Sequence, residues 1–138
     1  MQSIPVGATG HFTLHVGEEH LASRFKDSML PPVLATPVMV LAMENAALNA
    51  IKPYLPPGMT AVGSRIDVVH LLPTPAGRNV QARAQVTKVD GKRLEFIVSA
   101  ADGNEEIGRG THERVVIDSA KFISRLQEKF GPSAGSGP

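Results

Sequence analysis

The order of patterns along this 138-residue chain predicts an α+β domain, with a curved antiparallel sheet around one long central helix. Three observations carry that expectation. Residues 31–52, PPVLATPVMVLAMENAALNAIK, are apolar at nearly every helical position, which suits a helix covered by other structure better than one lying on a surface. The stretches that follow alternate with the period of two that marks half-buried strands. Asp90-Gly91 and Asp102-Gly103 then join successive strands by tight turns, which makes their pairing antiparallel. Length implies one domain, placed at residues 1–130, with the low-complexity end GPSAGSGP at 131–138 read as a flexible tail.

Taken in order, residues 1–10 read as a lead-in, and HFTLHV at 11–16 as a first strand with Phe12, Leu14 and Val16 on one face. Residues 17–30 are irregular and close on Pro31-Pro32. Thr36-Pro37 is a helix-start signal, a hydroxyl able to cap free amides followed by a ring with helical φ, so the central helix is expected to begin near Pro37. Beyond the exit PYLPPGMT, a second strand alternates Val62, Ser64, Ile66, Val68, His70 and Leu72 against Gly63, Arg65, Asp67, Val69 and Leu71. A third strand sets Val80, Ala82, Ala84 and Val86 on one side. A fourth does so with Leu94, Phe96, Val98 and Ala100. In the fifth, EEIGRGTHERVVI, Gly108 and Gly110 thin out a face that His112 and Arg114 continue. Phe122, Ile123, Leu126 and Phe130 recur at helical spacing and predict a closing amphipathic helix over residues 119–130.

Composition excludes several classes of function. A net charge of +1 with basic residues scattered singly gives no electrostatic case for nucleic acid. Without cysteine there is no disulfide, thiol nucleophile or cysteine zinc site, which fits a reducing, cytoplasmic setting. His11 and His15, four apart on a strand, would lie about 13 Å from each other, too far for one metal ion. MQSIPVGATGHF has no basic start or apolar run, and nowhere do 18 apolar residues follow one another, so an unexported protein that avoids membranes is expected.

Three polar residues stand out against this apolar background. Glu44 interrupts the helix; it belongs either to a site or to a narrow stripe with Asn45, Asn49 and Lys52 at a subunit contact or facing water. Thr36 is either an ordinary cap or part of a helix start at which the amides of Val38 and Met39 seat a carbonyl oxygen gaining charge. His70 shares a strand face with Ile66 and Val68, and is either a satisfied core residue or an acid/base group facing the cavity. Eight residues of helix separate Thr36 from Glu44 by about 12 Å, so the two cannot touch within one chain. A site using both therefore favours two chains, which would also cover an edge strand.

The runs A-T-P-V-M-V-L-A-M-E-N-A, V-G-S-R-I-D-V-V-H and D-G-N-E-E-I-G-R-G-T-H-E-R-V-V-I resemble the hotdog-fold thioesterases, most closely the fluoroacetyl-CoA thioesterase branch, over roughly residues 30–130. The resemblance places the family's threonine, glutamate and histidine on Thr36, Glu44 and His70, its strand glycine on Gly63 and its arginine on Arg114. It implies hydrolysis of an acyl-CoA thioester, with coenzyme A as part of the substrate and no further cofactor or metal. It also implies a homodimer, or a tetramer, whose sites lie at the interface. Leu30, Gly63, Arg114, Val38 and Met39 are then the expected substrate-binding residues. Arg114 would pair with the pantetheine-phosphate arm or with a neighbouring carboxylate. Leu30 stands where the fluoroacetyl-CoA enzyme has an aromatic residue, and Pro37 replaces its glycine, so a general short or medium acyl group is expected. The competing readings are a hotdog hydratase or dehydratase, for which no separate Asp-His signature is evident, and an acyl-CoA-binding module without turnover, which would have no use for Glu44.

Overall fold

Five strands build a single antiparallel sheet in the order β1-β3-β4-β5-β2, and the long helix lies across one face of it. The computed structural model describes residues 3–136. In chain order the elements are β1 (Thr9–His15), the short helix α1 (Ala22–Phe25), the central helix α2 (Thr36–Ile51), β2 (Met59–His70), β3 (Asn79–Asp90), β4 (Arg93–Asp102), β5 (Glu105–Asp118) and α3 (Ser119–Phe130). The two Asp-Gly turns close two-residue hairpins in which Gly91 (φ +59°) and Gly103 (φ +61°) take the left-handed conformation that side chains resist.

The core lies between α2 and the sheet. Met39, Met43, Ala46, Ala47 and Ile51 face Val80, Val86, Leu94 and Phe96, all fully buried. The helix can settle onto β1 because of Gly10, where a side chain would run into the Ala46 carbonyl and the backbone of Ala50. α3 follows the predicted span; the Asp118 carboxylate caps it, accepting from the Lys121 amide at 3.1 Å. Among the described residues no helix is long and apolar enough to cross a membrane.

Several expectations need correction. The chain does not wrap α2 on all sides: Leu41 is 48% exposed and Glu44 half-buried, because one sheet layer covers only one flank of a helix. Nor is the lead-in idle. Ile4 is buried, and Gly7 and Ala8 bond to Val86, which brings β1 forward to Thr9. Residues 131–136 fold into turns at Gly131 and Gly135, the latter against Ile123; residues 1–2 and 137–138 lie outside the described part. In β2 the predicted alternation fails at one point. The register with β5 shifts between Gly63 and Arg65, a β-bulge at Ser64, so Ala61 and Gly63 face the helix in place of Val62 and Ser64. The strand ends at His70, leaving Leu72 in the following loop.

Candidate active site

At the start of α2, Thr36 Oγ1 and His70 Nδ1 share a hydrogen bond of 2.8 Å. The Thr36 side chain does not cap the helix; that position falls to Ala35, which makes no side-chain capping bond. The threonine is therefore left free to face the last residue of β2. The amides of Val38 and Met39, expected to be open donors, both donate to the Ala35 carbonyl at 3.0 and 3.2 Å. Pro37 has no N–H, so the Thr36 amide is the remaining donor of the first turn, at the positive end of the helix dipole.

The Thr36–His70 pair opens into a cavity of about 390 Å³ whose walls include Leu30, Val33, Leu34, Leu71 and Leu72. Burial lowers the His70 pKa from its ordinary value, and the Leu72 backbone offsets this only in part. Nε2 of the ring is buried without a hydrogen-bond partner among the described residues. An imidazole with a lowered pKa, bonded to a hydroxyl at the mouth of a largely apolar cavity, is the arrangement of a general base with the group it activates.

Glu44 lies elsewhere, in a second cluster on the same face of the sheet. Its Oε2 sits over Gly63, where a Cβ would come within 2.8 Å of it, 3.4 Å of His112 Cε1 and 3.8 Å of Arg114 Nη1. Arg114 is only 8% exposed. It donates from Nη2 to the Ala61 carbonyl at 2.6 Å and makes a long 3.5 Å contact from Nη1 to the Glu44 main-chain carbonyl. Desolvation lowers the Arg114 pKa, and the Glu44 charge opposes that shift. Of the two partners the sequence allowed for Arg114, the neighbouring Glu44 charge acts on it through space, while its hydrogen bonds go to main-chain carbonyls and to His112.

A family model described as fluoroacetyl-CoA-specific thioesterase matches residues 16–120. The chain belongs to this family. The fluoroacetyl-CoA thioesterase of Streptantibioticus cattleyicolor is 46% identical over 99 residues, 72% of this chain and 71% of that protein. A solved fluoroacetyl-CoA thioesterase superposes with a TM-score of 0.86 at 37% identity, covering 93% of this chain and 98% of its own. A thioesterase superfamily member from Thermus thermophilus gives 0.84 at 32% identity, with 94% and 98% covered. The sheet and helix are accordingly those of a hotdog-fold thioesterase, a thioester hydrolase.

Within this thioesterase, Thr36, His70 and Leu30 come together at one cavity, while Glu44, Gly63 and Arg114 gather at another place. Val38 and Met39 are buried under the helix start and line neither. Among the described residues no three His, Asp or Glu side chains converge as metal ligands. Sequence reasoning passed over His112, which is 1% exposed and lies beside Arg114. The signal was present, since His112 and Arg114 alternate on the helix-facing side of β5 next to two glycines.

Proposed function

We propose that this thioesterase hydrolyses short or medium acyl-CoA thioesters to the free acid and CoA, working as a cytoplasmic homodimer without metal or added cofactor. The 2.8 Å bond between Thr36 and His70 at the mouth of a largely apolar cavity carries the reading. The thioester carbonyl would sit at the helix start, facing the Thr36 amide and the dipole, while neutral His70 takes a proton from the Thr36 hydroxyl or from a water held there. Leu30 and the neighbouring leucines would surround an unsubstituted acyl chain.

Glu44 would join from a second copy. Along β2, Gly63 and His70 stand about 20 Å apart, and along α2, Thr36 and Glu44 about 12 Å. Two copies related by a two-fold axis, with β2 beside β2 and α2 beside α2, bring each half-site against the other half of its partner when the axis passes near Val40 and between Ile66 and Asp67. Two exposed apolar side chains fall at those midpoints, Leu41 (48%) and Ile66 (39%). β2 is also an unprotected edge strand of 12 residues, a form that single chains avoid.

The test is free-thiol release from acetyl-, butyryl- and crotonyl-CoA, followed alongside enoyl absorbance. Thiol release is expected. Loss of enoyl absorbance without thiol would instead indicate a hydratase, and binding without either change a non-catalytic module.

A further inference from the structure

We propose that His112 is a positioning residue for this hydrolysis: locked in one neutral tautomer, it holds the Arg114 guanidinium, which in turn keeps the Glu44 carboxylate over Gly63. The inference rests on the reaction and site proposed above and adds a residue to them.

Two neighbours leave the His112 proton a single place. Nδ1 lies 2.8 Å from the carbonyl oxygen of Arg65, which can only accept, so Nδ1 carries the hydrogen. Nε2 lies 3.2 Å from Arg114 Nη1, which can only donate, so Nε2 presents its lone pair. A second proton on this ring would point an N–H at a guanidinium. Arg65 is the residue just past the bulge of β2, and the Phe96 ring stacks on the imidazole with centroids 5.7 Å apart, so both the plane and the position of the ring are fixed.

Arg114 then has its three acceptors on three elements: His112 on its own strand, the Ala61 carbonyl on β2 and the Glu44 carbonyl on α2. The guanidinium ties the helix turn that bears Glu44 to the strand that bears Gly63. Gly63 is the spot where Glu44 Oε2, His112 and Arg114 all come within 4 Å of a would-be Cβ. His112 reaches no part of the cavity around Thr36 and His70, so its influence on the reaction passes through Arg114 and Glu44.

Two variants and one spectrum test this. His112→Phe keeps the stacked ring and removes both polar atoms, whereas His112→Gln restores an acceptor toward Arg114. For folded dimers we expect His112→Phe to lower kcat about 10- to 100-fold with KM changed less than about threefold, and His112→Gln to recover most of that loss. In the long-range 1H–15N spectrum of the wild type at pH 7, the histidine signal missing from His112→Gln should be the neutral Nδ1–H tautomer. Unchanged kcat in His112→Phe beside an active wild type would overturn this inference alone, as would a loss that His112→Gln does not recover. If His112→Phe does not fold, a cationic or Nε2–H signal for His112, or a His112→Gln protein as slow as Glu44→Ala, overturns it. A wild type that releases no thiol would overturn the proposed function as well.

Discussion

The placement of Glu44 can be tested by adding one methyl group. In Gly63→Ala the new Cβ would lie 2.8 Å from Glu44 Oε2, 3.4 Å from His112 Cε1 and 3.8 Å from Arg114 Nη1. Only the first contact is too short. It involves the tip of a flexible side chain, so the carboxylate oxygen should retreat by about 0.6 Å while ring and guanidinium stay in place. Gly63 does not have positive φ, so alanine is conformationally acceptable, and its smaller unfolded-state entropy contributes about 0.4–1 kcal/mol of stability. With a misplacement of about 1 Å able to cost about a hundredfold in rate, a shift of this size predicts a fall in kcat of about tenfold, or ~1.4 kcal/mol. KM should hold, and Tm should move by less than about 5 °C. Steady-state thiol release and a thermal melt on the same sample give all three quantities. A Gly63→Ala enzyme with kcat within twofold of wild type would refute the claim that the carboxylate works from above this glycine.

Other perturbations separate the Thr36–His70 pair from the Glu44 cluster. Glu44→Ala and His70→Ala should each reduce thiol release by at least about a hundredfold. Thr36→Ala should be severe with little change in Tm, since the hydroxyl caps nothing, and Thr36→Ser should be mild. Mixing Thr36→Ala with Glu44→Ala after reversible dissociation should restore up to about a quarter of wild-type activity, because half the dimers are mixed and each has one intact site; background activity in proven heterodimers would place the whole site in one chain. Arg114→Ala should lower kcat and Tm more than it raises KM, since its contacts are to the protein's own carbonyls; a pure KM effect would return Arg114 to the substrate. For pH, burial lowers both His70 and His112, so below about pH 6.5 the unfolded chain binds more protons than the folded one. Tm should be level above that pH and decline as pH falls below it. A flat or rising Tm on acidification between pH 6.5 and 5 would contradict both environments.

The sequence made the fold legible because its signals were local and agreed: the Asp-Gly turns, the alternation of β3 and β4, and a helix too apolar to lie bare. Thr36, Glu44 and His70 stood out as polar groups in apolar runs. Their grouping was harder to see. Which of them meet depends on Ala35 taking the cap position and on the bulge at Ser64, neither of which has a residue signature. The strand pattern placed His112, but its role needed the structure for a related reason, since a buried histidine shows its purpose only when both of its nitrogens have visible partners. The exposed Leu41 departs from the expectation of a covered helix, yet it follows from the same excess of apolar residues: the chain makes more nonpolar helix surface than it can cover alone.

The single inserted residue in β2 has a consequence for how such a strand can change over time. Gly63 and His70 are seven positions apart, an odd interval, which on an unbroken strand sends them to opposite sides of the sheet. Ser64 absorbs one step, and the remaining even count lets one strand place Gly63, under the Glu44 carboxylate, and the His70 imidazole on the same side. The effect of losing any one residue between the two would therefore depend on the bulge: if it closed up to compensate, parity would be kept and both ends retained. If it persisted, the imidazole would turn outward, away from the face that carries the carboxylate.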